Sequence, residues 1–377
     1  MLIQIHILQN YAPSNLNRDD SGAPKSAYFG GIKRGRISSQ CLKRSMRHSE
    51  SFKSAFKQAG RLAERTKLLP QLIDEELRKL GTDDEVRKII TERIPEIGKK
   101  GNDKSEDDEA VDSSEQEGEV ETRQLIFLHV DAEVPALAKK LVDLVAESGK
   151  DKFMKMKIAD LEKALQHELP RSVDIAMFGR MTTSAAFEDV QASVQVAHSL
   201  TTSAVETEFD YFTAVDDISG QTGAGMIGDV EFNSATHYKY LNIHWEELVK
   251  NLGGDKAIAQ DAVLALLEAA AQAQPSGKQN SFAAFNLPDF ILVEIGEKNL
   301  PISYANAFTK PVRETHSQSL LDSSVMVLND YMNRLRKAYA ITTQRSYLAV
   351  FDHTIDEAEK NDSLPQLQEW VANQLPA

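Results

Sequence analysis

The chain has 377 residues, 41% of them hydrophobic, and a formal net charge of −14, which supplies apolar material for two or three ordinary folded domains. No run approaches the roughly 18 uncharged apolar residues of a membrane span, the short run LIQIHIL lacks the basic leader of a signal peptide, and a single cysteine, Cys41, excludes an internal disulfide and fits a reducing cytoplasm. Overall acidity argues against nucleic acid, but its distribution reverses that reading: residues 99–121 hold ten Asp or Glu against Lys99, Lys100 and Lys104, a net of −7 and half the total, whereas 21–48 hold seven Lys or Arg and no acid.

In chain order, residues 2–9 alternate, with Ile3, Ile5 and Ile7 on one face and Leu2, Gln4 and His6 on the other, which predicts a half-buried strand. The strand leads into a basic loop within 15–48, NLNRDDSGAPKSAYFGGIKRGRISSQCLKRSMRH. Its end reads as a helix start, because Ser38 and Ser39 can cap free backbone N–H groups. At about 100° per residue, Gln40, Lys43, Arg44 and Arg47 share one face and Leu42 and Met46 the other. One side packs and the other offers donors. Arg and Lys bind phosphate oxygens through charge-assisted hydrogen bonds and a helix N-terminus adds a favourable field, so the face suits phosphate. The alternative is a basic, solvated helix with no ligand. Cys41 is expected toward the packed side and not as a catalytic thiol.

From about 50 to 98 the pattern is helical and charged, as in ERTKLLPQLIDEELRKL. The acidic tract 99–121 is too poor in apolar residues to offset its ordering entropy, which predicts a disordered, mobile surface loop. QLIFLHVD at 124–131 reads as a strand, and PALAKKLVDLVAE (135–147) and KIADLEKAL (157–165) as amphipathic helices, making 50–168 a mainly helical insertion. Strand signals return in VDIAMFGRM (173–181), DVQASVQVAHSL (189–200) and EFDYFTAV (208–215). The glycine-rich DDISGQTGAGMIGD (216–229) separates the last of these from the alternating EFNSATHYKYLNI (231–243), which predicts a protruding hairpin arm. A helix over 256–273, polar PSGKQNS, a strand FILVEI (290–295), a long helix over 323–339 with Val327, Tyr331, Leu335 and Tyr339 at fourfold spacing, and a last strand SYLAVF (346–351) complete the chain. No internal repeat is visible.

Motifs for chemistry are sparse. Gly223, Gly225 and Gly228 spell G-x-G-x-x-G, but a strand follows where a dinucleotide site needs a helix, so no such site is expected. The nine histidines include no HExxH and no Cys or His cluster with ligand spacing. Acidic pairs at Asp19/Asp20 and Asp216/Asp217 can in principle bind Mg²⁺ or act as a base, although turn formation or an ion pair with Arg18 explains the first as well. No aromatic RNP signature is present. Phe212, Met181 and Met226, beside or within the arm, are the apolar candidates for contact with bases; for Met181 and Phe212 core packing is the competing reading.

APSNLNRDD (12–20), FGGIKRGRISSQCLKRSMR (29–47), FGRM (178–181), VQVAHSL (194–200), YFTAVDD (211–217) and NAFTKPV (306–312) together resemble the CasC family, the repeated backbone subunit of the type I-E CRISPR complex Cascade. The matches keep one order over most of the chain and thin out in 50–168, and the acidic tract has no place in the family pattern. The resemblance implies an α+β subunit shaped like a right hand: a ferredoxin-like (RRM-like) palm in 1–49, 169–204 and 241–377, a helical finger insertion in 50–168 and a β-hairpin thumb in 205–240. It implies a palm that holds guide RNA (crRNA) through Arg18, Lys25, Arg34, Arg36, Gln40, Lys43, Arg44 and Arg47. It also implies a thumb that kinks the guide, with Met181 and Phe212 near the displaced nucleotide and Met226 in the thumb. Implied partners are crRNA, target DNA through guide pairing, further copies of the chain stacked head to tail, and CasA, CasB, CasD and CasE. No cofactor, metal or catalytic residue is implied, and cleavage is left to a recruited nuclease. The rival reading is a type III backbone subunit that cuts target RNA with Asp19 or Asp20.

Overall fold

The computed structural model describes residues 1–57, 60–97, 122, 125–166, 172–182, 184–215, 218 and 224–376. The acidic tract 99–121, the Asp216/Asp217 pair and Gly223 lie outside the described residues. The chain forms two compact units, one of Met1–Ala55, Val194–Val249 and Asp255–Ala377, the other of Phe56–Ser193 with Lys250–Gly254.

The first unit opens with β1 (Leu2–Ser14), β2 (Ser26–Phe29), β3 (Ile32–Ile37), α1 (Ser39–His48) and α2 (Glu50–Phe56). The second unit follows with β4 (Glu64–Thr66), α3 (Leu69–Lys79), α4 (Asp84–Arg93), β5 (Ile126–Leu128), α5 (Val130–Ser148), α6 (Lys150–Lys155), α7 (Ile158–Leu165) and α8 (Val173–Phe178). The chain then returns through β6 (Val194–Val196), β7 (Ser199–Thr201), β8 (Glu208–Val215), β9 (Ala224–His244), α9 (Trp245–Asn251), α10 (Lys256–Gln272) and α11 (Gln279–Phe282). It ends with β10 (Phe290–Gly296), α12 (Leu320–Tyr339), β11 (Gln344–Ala349), β12 (Glu359–Asn361) and α13 (Leu364–Gln374).

The first unit is built on a sheet of order β12-β11-β10-β1-β9-β7-β3-β2, with β6 and β8 also paired to β9. All pairs are antiparallel except β11 with β12. β1 lies between β9 and β10 and is buried on both faces from Leu2 to Leu8, not half-buried as its alternation predicts. The polar face is buried with Gln4 Oε1 and His6 Nδ1 hydrogen-bonded and His6 Nε2 3.3 Å from Glu294 Oε2. Gln4 Oε1 accepts from Tyr240 Oη at 2.7 Å and from the Ile302 N–H at 2.7 Å. His6 Nδ1 shares a hydrogen bond of 2.9 Å with Tyr238 Oη.

Three further expectations are corrected. Most of segment 173–181 is a helix, α8 (Val173–Phe178), and not a strand: Ser172 caps it by accepting from the Ile175 N–H, Gly179 ends it at φ +79°, and its near-complete burial leaves no polar face to display helical spacing. In α12 the buried stripe is Leu321, Val325, Leu328 and Met332, whereas Val327 and Tyr339 are exposed and Tyr331 and Leu335 half-buried. A Ser319–Asp322 capping box starts that helix one turn before the predicted segment. The strand β11 is not the last element, since β12 and α13 follow it. Among the described residues, no helix is long and apolar enough to cross a membrane.

The second unit packs α3, α5 and α7 around Leu69, Ile73, Leu77, Leu137, Leu141, Leu161 and Leu165.

Candidate nucleic-acid interface

The basic stretch is not a loop. It is the β2–β3 hairpin followed by α1, tied together by Asn17, whose carbonyl accepts from the Lys25 N–H (2.8 Å) and whose Oδ1 accepts from the Ser38 N–H (2.8 Å). Ser38 in turn caps α1 by accepting from the Cys41 N–H at 3.3 Å. Leu42 and Met46 are the buried residues of α1, as the helical spacing requires. Gln40 and Arg44 are exposed on the other side, and Lys43 and Arg47 are half-buried at its flanks. Arg18 is exposed, and Lys25 and Arg36 are half-buried on the hairpin side.

Arg34 departs from this set. It is fully buried, and its guanidinium donates to four backbone carbonyls: Thr201 (3.2 Å), Thr202 (2.8 Å), Phe308 (2.8 Å) and Thr309 (3.3 Å). Its two terminal nitrogens are therefore engaged inside the protein, while the buried Nε has no hydrogen-bond partner, and the side chain clamps the hairpin to two distant segments instead of offering charge to the surface. The same closeness explains Gly30, at φ +60°, where a Cβ would lie 2.2 Å from the Thr309 carbonyl oxygen.

Electrostatics sharpen the picture. The Asp19 carboxylate accepts from the Ser21 hydroxyl (2.7 Å), the Ser21 N–H (3.0 Å) and the Ala23 N–H (3.1 Å), and the Ser21 hydroxyl leads in holding its pKa below the usual range. A carboxylate so engaged closes a turn and is a weak base. Burial pushes the Cys41 thiol up, against Arg44 and Lys25, so it is no thiolate at neutral pH. His198 is exposed, its Nδ1 accepts from the Ser39 N–H at 3.3 Å, and partial burial followed by Arg36 and Lys25 lowers its pKa. Lys239 is buried near α1, donates to Gln9, and burial brings its pKa down to about 7.

The arm is the β8–β9 hairpin, in register from Glu208 opposite Phe232 to Ala214 opposite Met226, with a one-residue shift before Val215 opposite Ala224. Phe212 (38% exposed) lies over Gly228, where a Cβ would come within 2.6 Å of the ring Cζ, so the last glycine of the G-x-G-x-x-G string is a seat for an aromatic ring. Met226 (59% exposed) pairs with Ala214 and falls on the face of Phe212. The opposite face carries exposed Phe209, Tyr211 and Ile227. Phe209 and Tyr211 were legible in the alternation of EFDYFTAV; His198 was not, because no local pattern marks it. Neither strand of the arm holds a Lys or Arg before Lys239.

Met181 belongs to the other unit and is 95% exposed. Arg180 beside it is buried, 2.7 Å from Glu133 Oε1, and exchanges backbone hydrogen bonds of 2.9 and 2.8 Å with Val190 in an isolated antiparallel bridge. Among the described residues, no group of three or more His, Cys, Asp or Glu is arranged to hold a metal ion.

Residues 3–373 match the family described as CT1975-like protein. No curated protein matches the chain. Two solved structures similar to it are a chain of a CRISPR RNA-guided surveillance complex in a pre-nicking state, at TM-score 0.78 and 30% identity, and a chain of a CRISPR RNA-guided surveillance complex, at TM-score 0.69 and 26% identity. Each match covers 99% of both chains.

Proposed function

The chain belongs to the CT1975-like, CasC-like protein family, and on that footing we propose that it is the non-catalytic, crRNA-binding backbone subunit of a type I-E CRISPR surveillance complex. The observation that carries this reading is the α1 surface: Gln40, Lys43, Arg44 and Arg47 stand on a helix whose other side, Leu42 and Met46, is anchored in the core. Arg18, Lys25 and Arg36 extend that surface along the hairpin, and Arg34 holds the hairpin in place. Several cations on a rigid base bind a phosphate backbone without regard to its bases, as a subunit serving any guide requires. Sequence is then read by pairing of the guide with target DNA.

The strand order supports a ferredoxin-like palm. Reduced to β1, α1, β7, β9, α10 and β10, the first unit runs β-α-β-β-α-β with sheet order β10-β1-β9-β7. The arm is the thumb, which sets Phe212 and Met226 against bases; Met181, which the family resemblance puts near the displaced nucleotide, is a further apolar candidate for contact with bases. Copies stack head to tail along the guide, an arrangement with no closed symmetry that ends only where the RNA and other subunits end it. CasD and CasE at the ends, CasB along the filament and CasA complete the assembly. The hydrogen bonding of Asp19 speaks against the rival in which that residue cuts RNA.

The test is RNA binding by a Lys43→Glu/Arg44→Glu variant across a salt series. Each phosphate contact on a single strand contributes about 0.7 to the slope of log affinity against log salt, so losing two lowers it by about 1.4. Wild-type affinity and slope in the variant would overturn the reading. Regular fragments from complementary RNA incubated with the assembled complex and Mg²⁺ would favour the nuclease instead.

A further inference from the structure

We propose that His198 is a phosphate-binding residue of this surface, donating from Nε2–H to an oxygen of an RNA phosphodiester beside Lys25 and Arg36. The inference rests on the palm reading above and adds to it a neutral contact that a search for Lys and Arg does not find. The ring lies between β6 and β7 and meets α1 at its first turn, where the Ser39 N–H donates to Nδ1 at 3.3 Å. A ring nitrogen that accepts carries no proton, so in the neutral imidazole the proton sits on Nε2. His198 is exposed, and Nε2 has no hydrogen-bond partner among the described residues.

Three neighbours keep the ring in that form. Ser39 occupies Nδ1, and Lys25 and Arg36 oppose a second positive charge on the imidazole. Partial burial acts in the same direction and is the largest cause of the lowered pKa. The outcome is a donor of fixed tautomer set among two cations. An anion with several acceptor oxygens satisfies all three groups at once, and a base edge does not. The backbone of the guide is the phosphate source that the palm reading supplies. His198 also joins β6–β7 to α1, so a structural role must be separated from contact with RNA.

Two substitutions do so. In His198→Asn, the side-chain oxygen reaches the place of Nδ1 and keeps the Ser39 bond while the distal donor is lost. In His198→Gln, the amide nitrogen reaches the place of Nε2 and keeps the donor while the Ser39 bond is lost. Binding of a fluorescent single-stranded RNA is measured for both across a salt series, beside wild type and Lys43→Glu/Arg44→Glu, with thermal melts of every protein. His198→Asn is expected to lose about tenfold in affinity and His198→Gln to stay within about twofold of wild type, since a hydrogen bond to a charged group is worth roughly 1.5 kcal/mol. Both should keep the wild-type salt slope, because a neutral donor displaces no counterion. Wild-type affinity in His198→Asn, an equal loss in His198→Gln, or a reduced slope in His198→Asn would overturn the inference. Wild-type binding by Lys43→Glu/Arg44→Glu as well would overturn the palm reading beneath it.

Discussion

The surface on β2, β3 and α1 and the arm on β8 and β9 differ in almost every physical respect. The first is cationic and stands on a buried underside, with Leu42 and Met46 in the core and Arg34 locked into four backbone carbonyls. The arm carries Glu208, Asp210, Asp229 and Glu231, shows apolar side chains on both faces, and is held by cross-strand pairs such as Phe212 on Gly228. An acidic hairpin repels phosphates, so whatever it contributes to RNA binding comes from stacking or wedging. Under the proposed function the two regions divide the work on one ligand: one supplies affinity that salt weakens, the other a contact that salt leaves alone.

The largest test of that division is Arg34→Met. If Arg34 belongs to the architecture and not to the phosphate surface, its loss strands buried carbonyls and lowers folding stability by about 3 kcal/mol, read as a reduced denaturant midpoint, while the salt slope of RNA binding in the folded fraction stays at the wild-type value. A lower slope with unchanged stability would return Arg34 to the surface set. Next in size is Phe212→Ala/Met226→Ser, for which stacking contributions of about 1–3 kcal/mol per base predict at least a tenfold loss of affinity. The salt slope should not move, and a shift in slope would show that the arm contacts phosphates after all.

The last prediction concerns folding stability alone, through Lys239. Its folded pKa of about 7 lies below the ordinary lysine value, so between about pH 7 and pH 10 the unfolded chain binds more protons than the folded one and stability rises with pH. Below that window both states are charged and the burial penalty is constant. The difference in unfolding free energy between wild type and Lys239→Met should therefore climb with pH across the window, as followed by denaturant titrations at several pH values; a flat difference would mean that Lys239 is not held away from its charged form.

Long periodic segments were legible from the chain alone. α5, α10 and β10 lie where spacing predicts them, and α1 has its cap and buried stripe where Ser38, Leu42 and Met46 imply. The β2–β3 hairpin was not, because IKRGRI shows no alternation of apolar and polar residues. Nor was α8, since a helix buried all round displays no helical period. In α12 a regular fourfold spacing chose the wrong stripe: a helix reports which residues share a face but not which face meets the sheet.

The candidate site divides along the same line. Local sequence determined that a helix with cations on one side would follow the first strand, since face and charge depend only on residues a few positions apart. Tertiary structure alone decided that Arg34 is sealed inside while Arg36, two residues on, stays partly open, and that His198 stands beside α1. Those outcomes are set by Thr201, Thr202, Phe308, Thr309 and Ser39, and the burial of a polar side chain depends on whether such distant partners arrive to satisfy it.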